Sequence, residues 1–382
     1  MYLVKRPPLR EKTARLFEQH LAKPHSKPGT RFVQRLVWPI SGRQGPASQC
    51  PILVHCSLLW ASCINTFQLL KPCSTLSQRL VSPRHSGYPF FLGHLGVNSM
   101  NYDANPRISA LLRGVTWLEV VILFWAGLGL LFYPPSIESI WPWPLAPFNL
   151  RFLGALYAAA LIAAFMQAMS GRWSPARVVT PMIFIFTLVV TIFSFVHIER
   201  FDPDRLETWI WFILYIGVCV NAGVHLWLYR RLPLPQPSFQ PLSTLRSVLS
   251  SVFIVLGGYG LQLLLVPAAA SVFWPWKLDT FHAQLYSVTF LTPAVGAGVL
   301  LRGATRGELK TLGLTLSAWG LLPIVGLVLA DASVQRVRWA VTDTWIWLAL
   351  FSGMTGVGAW LAACSRKIEW QESVRQQEAA DC

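Results

Sequence analysis

The side chains whose types could do chemistry are His197, Glu199, Arg151, Asp279 and His282: two imidazoles that titrate near neutrality, two carboxylates to orient them and a guanidinium to hold an anion. Each lies at the end of a long apolar run, and chain order puts all five on one side of any membrane those runs would cross. The expected site is therefore an outer polar cluster, and its alternative is a set of solvated interfacial side chains. His225 lies far down its own run with no second His at that depth, so a bis-histidine haem has no second ligand.

Tryptophan supplies the other candidate. Trp141-Pro142-Trp143 and Trp274-Pro275-Trp276 each sit just before an apolar run, where an indole can bury its ring and keep its N–H at the headgroups. Four such rings could cradle a sugar, a lipid or a cation; a plain interface belt is the alternative. Pro293 and Pro323 are candidate helix breaks, because proline removes an internal hydrogen bond and frees a carbonyl for an ion or a substrate donor. The matching region of the first half offers only Pro181, which favours a packing kink.

No catalytic residues can be named. The chain lacks a Ser/His/Asp set, a phosphate-cradling glycine loop and a His-Glu-x2-His helix, and it carries no metal-ligand spacing, so no metal or cofactor is expected and the balance leans away from an enzyme without deciding it. Gln167, Asn221 and Gln262 read as glue between helices, as do the small-residue faces Ala155/Ala159/Ala163 and Gly353/Gly356. Glu119 is expected to snorkel to the nearer interface beside Trp117.

The elements that must position these residues follow from composition. Of 382 residues 53% are hydrophobic and 13% charged, with 18 Trp and 22 Phe, which excludes a soluble globular chain. Apolar runs near 116–134, 149–169, 178–198, 208–229, 247–266, 281–301, 309–330 and 344–364 predict eight spans, each about 20 residues, enough for a helix to cross about 30 Å of hydrocarbon. The fold class is thus an all-α integral membrane protein, since only helices satisfy the backbone of such runs in lipid.

Two rare strings recur. Trp141-Pro142-Trp143 returns 133 positions later as Trp274-Pro275-Trp276, and Thr208-Trp209-Ile210-Trp211 returns 136 positions later as Thr344-Trp345-Ile346-Trp347. This predicts two tandem four-helix repeats over residues 100–231 and 247–366, joined by a cytoplasmic linker at 232–246 and followed by a polar tail at 367–382. Four spans per repeat is an even number, so the halves enter in parallel orientation, related by an axis along the membrane normal.

The net charge of +15 is mostly local. Residues 1–99 hold 13 Lys and Arg against Glu11 and Glu18, four of the seven Cys and five of the eight His, with no sustained period. They are expected to be a poorly ordered basic extension, with a start assigned upstream of Met100, a targeting peptide or a lipid-binding arm as its origins; Pro51 to Leu70 would make a poor ninth span. In the body, thirteen basic residues fall on one side and six on the other, which places both ends of the bundle in the cytoplasm, in a bacterial plasma membrane. The expected partners are the lipid bilayer, a small-molecule or lipid ligand and other membrane proteins, not nucleic acid. Two functions fit, a transporter-like solute- or lipid-handling protein and a sensor, scaffold or assembly subunit; a membrane-embedded enzyme comes third.

Overall fold

A computed structural model describes residues 105–232 and 243–380, with side chains as far as Lys367. All of them belong to the unit Ala61–Cys382. The expectations for residues 1–99, and for the linker between 233 and 242, lie outside the described residues.

Eight helices are long and apolar enough to span a membrane: α1 (Ala110–Phe132), α2 (Pro147–Ser170), α3 (Trp173–Val196), α4 (Leu206–Tyr229), α5 (Ser243–Leu265), α6 (Thr280–Leu300), α7 (Arg306–Val334) and α8 (Thr342–Ala380). The described residues hold no strand, only an isolated bridge between Arg107 and Arg172. One end of the bundle carries the Trp-Pro-Trp strings and is called the Trp end; the other, with Arg113, Arg172, Arg177 and Arg302, is called the Arg end.

Local chemistry sets the helix limits. Ser109 caps α1, its hydroxyl accepting from the Leu112 N–H at 3.0 Å, so this span begins six residues before the expected 116. Pro147 opens α2, where its missing N–H costs nothing, and Gly171 stops it at φ +56°, returning its N–H to the Gln167 carbonyl. Thr305 and Glu308 form a reciprocal capping box at the start of α7. Other limits differ too: α3 begins at Trp173, ahead of the expected 178, α5 begins at Ser243, inside the expected linker, and α8 runs on through the expected tail to Ala380.

The helices divide into a centre and a periphery. Between 44% and 78% of the apolar stretch is buried in α2, α3, α6 and α7, against 33% in each of α1, α4, α5 and α8. The closest neighbours are α1 with α2, α3 with α4, α5 with α6 and α7 with α8; across the centre α2 packs on α7 and α3 on α6. Large side chains such as Ile213, Leu265, Val272 and Ile254 point outward from this core, the surface a bundle in lipid presents.

Small residues allow the tightest approaches. A Cβ on Gly320 would collide with the backbone of α8 at Phe351 and Thr355, and one on Gly358 with Ser317 and Gly313 of α7. Gly353, expected on the packing face, meets open space; the α8 surface that touches α7 is displaced to Gly358. The helix α7 continues through Pro323, and α6 is interrupted at Ser287, six residues before Pro293. Gln167 does act as glue: its amide donates to the Thr116 hydroxyl at 2.8 Å and its carbonyl accepts from Thr180 at 3.2 Å, joining α1, α2 and α3. Gln262 is exposed, and the side-chain Oδ1 of Asn221 is buried without a partner.

Candidate functional site

At the Trp end the structure builds a chain of hydrogen bonds across the bundle. The Trp143 indole N–H donates to Nε2 of His282 at 3.3 Å, which leaves the proton on Nδ1 to be donated to Asp279 Oδ1 at 2.8 Å. Asp279, the N-cap of α6, also accepts from the His282 backbone N–H at 2.8 Å, and the Arg200 guanidinium stands 3.6 Å away. Partial burial alone would raise its carboxyl; the side-chain and backbone hydrogen bonds from His282 and the charge of Arg200 outweigh that and hold it at about 2.

The second Trp-Pro-Trp string makes the reverse connection. Trp276 donates its indole N–H to Asn149 Oδ1 at 2.9 Å. Asn149 and His282 stand 133 positions apart, as do Trp143 and Trp276, so each string's second Trp bonds the residue six places past the second Trp of the other string. In residue terms, Trp143 reaches the first turn of α6 and Trp276 the first turn of α2. The neighbouring phenylalanines cross the same way: Phe281 packs edge-on against Trp143 at 5.2 Å, and Phe148 stacks on Trp276 at 5.5 Å.

The remaining expected site residues separate. His197 bonds Gln284 through Nε2 at 2.7 Å and lies 3.6 Å from Glu199, whose side chain is exposed. Its ring and that of His282 both pack on Phe281. Arg151 gives an N–H to the Leu131 carbonyl near the end of α1, away from the histidines' partners. Trp141, Trp143 and Trp274 are buried at 6%, 3% and 3% exposure, so these rings form an internal aromatic core and not an interface belt. Each edge-to-face pair adds about 0.5–1.5 kcal/mol beyond burial, and such pairs run from Trp141 and Trp211 through Trp143 to Phe281.

A cleft opens below Trp141. It holds about 430 Å³ between α1 and α4, backed by α2 and α3, with Thr292 of α6 and Trp319 of α7 at its floor. Its mouth is lined by Trp125, Leu206 and Ile210, all more than half exposed on the surface that faces lipid. The walls are apolar except for a few groups. Tyr157 and Tyr215 share a hydrogen bond at 2.6 Å, whereas the indole nitrogens of Trp141 and Trp319 and the Thr292 hydroxyl are buried without a partner. Glu119 is 9% exposed and lines the cleft; because α1 begins at Ala110 it sits nearly half-way along the span and stays buried there, away from the interface to which snorkelling is expected to carry it.

The sequence reading passed over Tyr157, Tyr215 and Trp319, which looked like ordinary aromatic filling. The recurring strings contain the signal, since Tyr157 and Tyr215 correspond to Phe290 and Phe351 at offsets of 133 and 136. It also passed over Glu308, which is fully buried and receives the Arg177 guanidinium through both oxygens, each at 2.7 Å. Thr305-x2-Glu308 before an apolar run was the legible cue.

His225 has both ring nitrogens engaged, Nε2 with the Ser109 hydroxyl at 2.6 Å and Nδ1 with the Asn221 carbonyl at 2.8 Å. Among the described residues no three His, Cys, Asp or Glu side chains gather as metal ligands.

The fold and the lipid-facing surface define the class: a polytopic, all-helical membrane protein in contact with the bilayer. Comparison with protein-family models, curated proteins and solved structures finds no match.

Proposed function

We propose that this protein handles lipid, taking an apolar chain sideways from the bilayer into the cleft between α1 and α4 in a transporter-like role that needs no bond chemistry. The observation that carries this reading is a cavity of about 430 Å³ whose mouth opens on the lipid-facing surface and whose floor reaches Thr292 and Trp319 at the bundle centre. Pockets of this size and apolar character hold molecules of several hundred daltons. Native mass spectrometry of protein released from lipid nanodiscs tests it. One retained lipid per chain is expected, lost when Ala160→Trp fills the cleft; no retained lipid, or an unchanged amount in the variant, overturns the proposal.

In this reading the body is two tandem four-helix repeats in parallel orientation. The helix pairing supports it, because moving every helix four places along turns α1–α2 into α5–α6, α3–α4 into α7–α8 and α2–α7 into α6–α3. The starts and ends of α1 and α5 also differ by 133 positions, and Gly127 approaches Ala158 as Gly260 approaches Leu291, at the same offset. The outer polar cluster then serves as a clasp between the repeats.

The excess of basic residues at the Arg end supports a cytoplasmic Arg end, with both ends of the body inside a bacterial plasma membrane. A cysteine at Pro144 or Ser333 should react with impermeant reagents in intact cells and one at Ser170 should not; all three positions are exposed. The reverse pattern would invert the topology.

A further inference from the structure

One ionisable side chain in the cleft has no opposite charge beside it. Glu119 lines the cavity about 14 Å along α1 from its Arg-end start, at 1.5 Å per residue, and is 9% exposed. Among the described residues its carboxyl has no hydrogen-bond or ion-pair partner. Its oxygens are not sealed into the bundle as the orphan indole nitrogens are; they keep accessible surface, on a side chain that lines the cleft. An acid held inside a span without a partner is costly, and such groups mark the path of something that compensates them.

Packing does not ask for this acid. The Trp-Pro-Trp strings and both ends of α1 and α5 share an offset of 133 positions, and at that offset Glu119 corresponds to Val252. Val252 is 8% exposed and belongs to the hydrophobic core. Hydrocarbon therefore fills the matching place on the matching helix.

The surroundings of Glu119 select what would compensate it. No Lys, Arg or His lines the cleft, and the other ionisable lining group is a second acid, Glu207 in the first turn of α4, which lies 3.4 Å from Arg205. A bare metal ion takes about six oxygen ligands, and among the described residues no three His, Cys, Asp or Glu side chains gather. A cation that carries its own hydrocarbon needs only one acid, since the apolar walls cover its chain. Trp141, Trp211, Tyr157, Tyr215 and Phe186 also line the cleft, and aromatic rings attract cations where alkyl walls do not. The mouth opens on the lipid-facing surface, and lipid is the phase in which such a molecule dissolves.

From these observations we infer that the cleft binds a cationic amphiphile, an ammonium group on a single hydrocarbon chain, with the ammonium against the Glu119 carboxylate and the chain toward the mouth. This deepens the lipid-handling reading and rests on it.

The test uses the full chain in phosphatidylcholine nanodiscs and two probes, oleylamine and oleyl alcohol, each carrying a diazirine in its hydrocarbon chain. The amine probe should crosslink saturably to peptides from α1 and α4. Unlabelled oleylamine and oleyltrimethylammonium should displace it about tenfold better than oleyl alcohol or oleate, a ratio equal to ~1.4 kcal/mol. Competitors partition differently into the bilayer, so the preference is compared between the unsubstituted chain and variants in the same nanodiscs. Glu119→Gln, and Glu119→Val with the residue of the other half, should each lose the preference and still crosslink. If oleyl alcohol or oleate competes as well as the ammonium compounds, or if both variants keep the preference, the cation inference is overturned and the apolar cleft remains. Saturable crosslinking by the alcohol probe but not by the amine probe also overturns it. If neither probe crosslinks saturably, the lipid-handling reading itself fails.

Discussion

Arg177 and Glu308 meet side-on at the Arg end, two N–H groups of the guanidinium each 2.7 Å from a carboxylate oxygen, with the Arg side chain 8% exposed and the Glu side chain not at all. They come from the first turns of α3 and α7, and Glu308 also accepts from the Thr305 backbone N–H at 2.9 Å while Ser174 and Thr305 share a hydrogen bond at 2.7 Å beside them. The pair thus pins two central helices together at the end opposite the tryptophans.

Removing one partner leaves the other charge buried and uncompensated. Glu308→Ala or Arg177→Met should destabilise the bundle by about 3–5 kcal/mol, and Arg177→Met combined with Glu308→Leu should recover most of that loss. Thermal melting of the protein in a mild detergent checks it. A double variant as unstable as either single one would show that the capping of α7 by Glu308, not the ion pair, dominates.

The crossed bonds at the Trp end give a second test. Trp143→Phe and Trp276→Phe keep a ring in the aromatic core but lose one bond each, for about 1 kcal/mol apiece. His282→Asn should be milder than His282→Ala, since asparagine is the acceptor that Trp276 already uses at residue 149. Equal losses in the two His282 variants would mean that the bond to Trp143 contributes nothing.

Asp279 predicts an acid limb. Its carboxyl sits at about 2 when folded against an ordinary 3.8, so it adds stability above the unfolded value and that contribution is lost as pH falls through about 2. The group is 40% exposed, so solvent screens its charge and the effect is modest. Melting temperature should fall more between pH 4 and 2 in the unsubstituted chain than in Asp279→Asn. Parallel curves would remove Asp279 from the account.

Glycine positions separate packing from propensity. Gly358→Ala and Gly320→Ala place a Cβ into the backbone of the facing helix and should cost about 1–3 kcal/mol or more. Gly353→Ala meets no atom and should be neutral or stabilising by up to about 1 kcal/mol. Melting the three variants side by side decides it, and a Gly353 variant as damaged as the other two would contradict the α7–α8 contact described above.

Hydropathy made the eight spans legible because every residue in a span contributes to the same signal. The first span's true start was not, since Ser109 caps a turn of mixed polarity that carries no apolar excess. Which face each helix buries was also hidden. Trp141 and Trp143 read as interfacial because an indole suits that place, and only their packing against Trp211, Phe201 and Phe281 buries them. Asp279 and His282 are three residues apart, so a helix start could bring them together, whereas Trp143 reaches His282 across 139 positions that no local pattern spans. The cleft escaped notice for a related reason: Tyr157, Tyr215 and Trp319 lie on three different helices, and their shared cavity exists only once α2, α4 and α7 have packed.

The interleaved centre sets an order on how the chain is made. α2 rests on α7 and α3 on α6, so when the ribosome has released the first four helices α2 and α3 each still lack one of the two neighbours that enclose them. α6, the least apolar of the eight and the most enclosed at 78%, is also poorly suited to enter lipid by itself. A chain truncated after α4 would therefore leave the faces of α2 and α3 that meet α7 and α6 uncovered, and should be less stable in the membrane than the whole bundle.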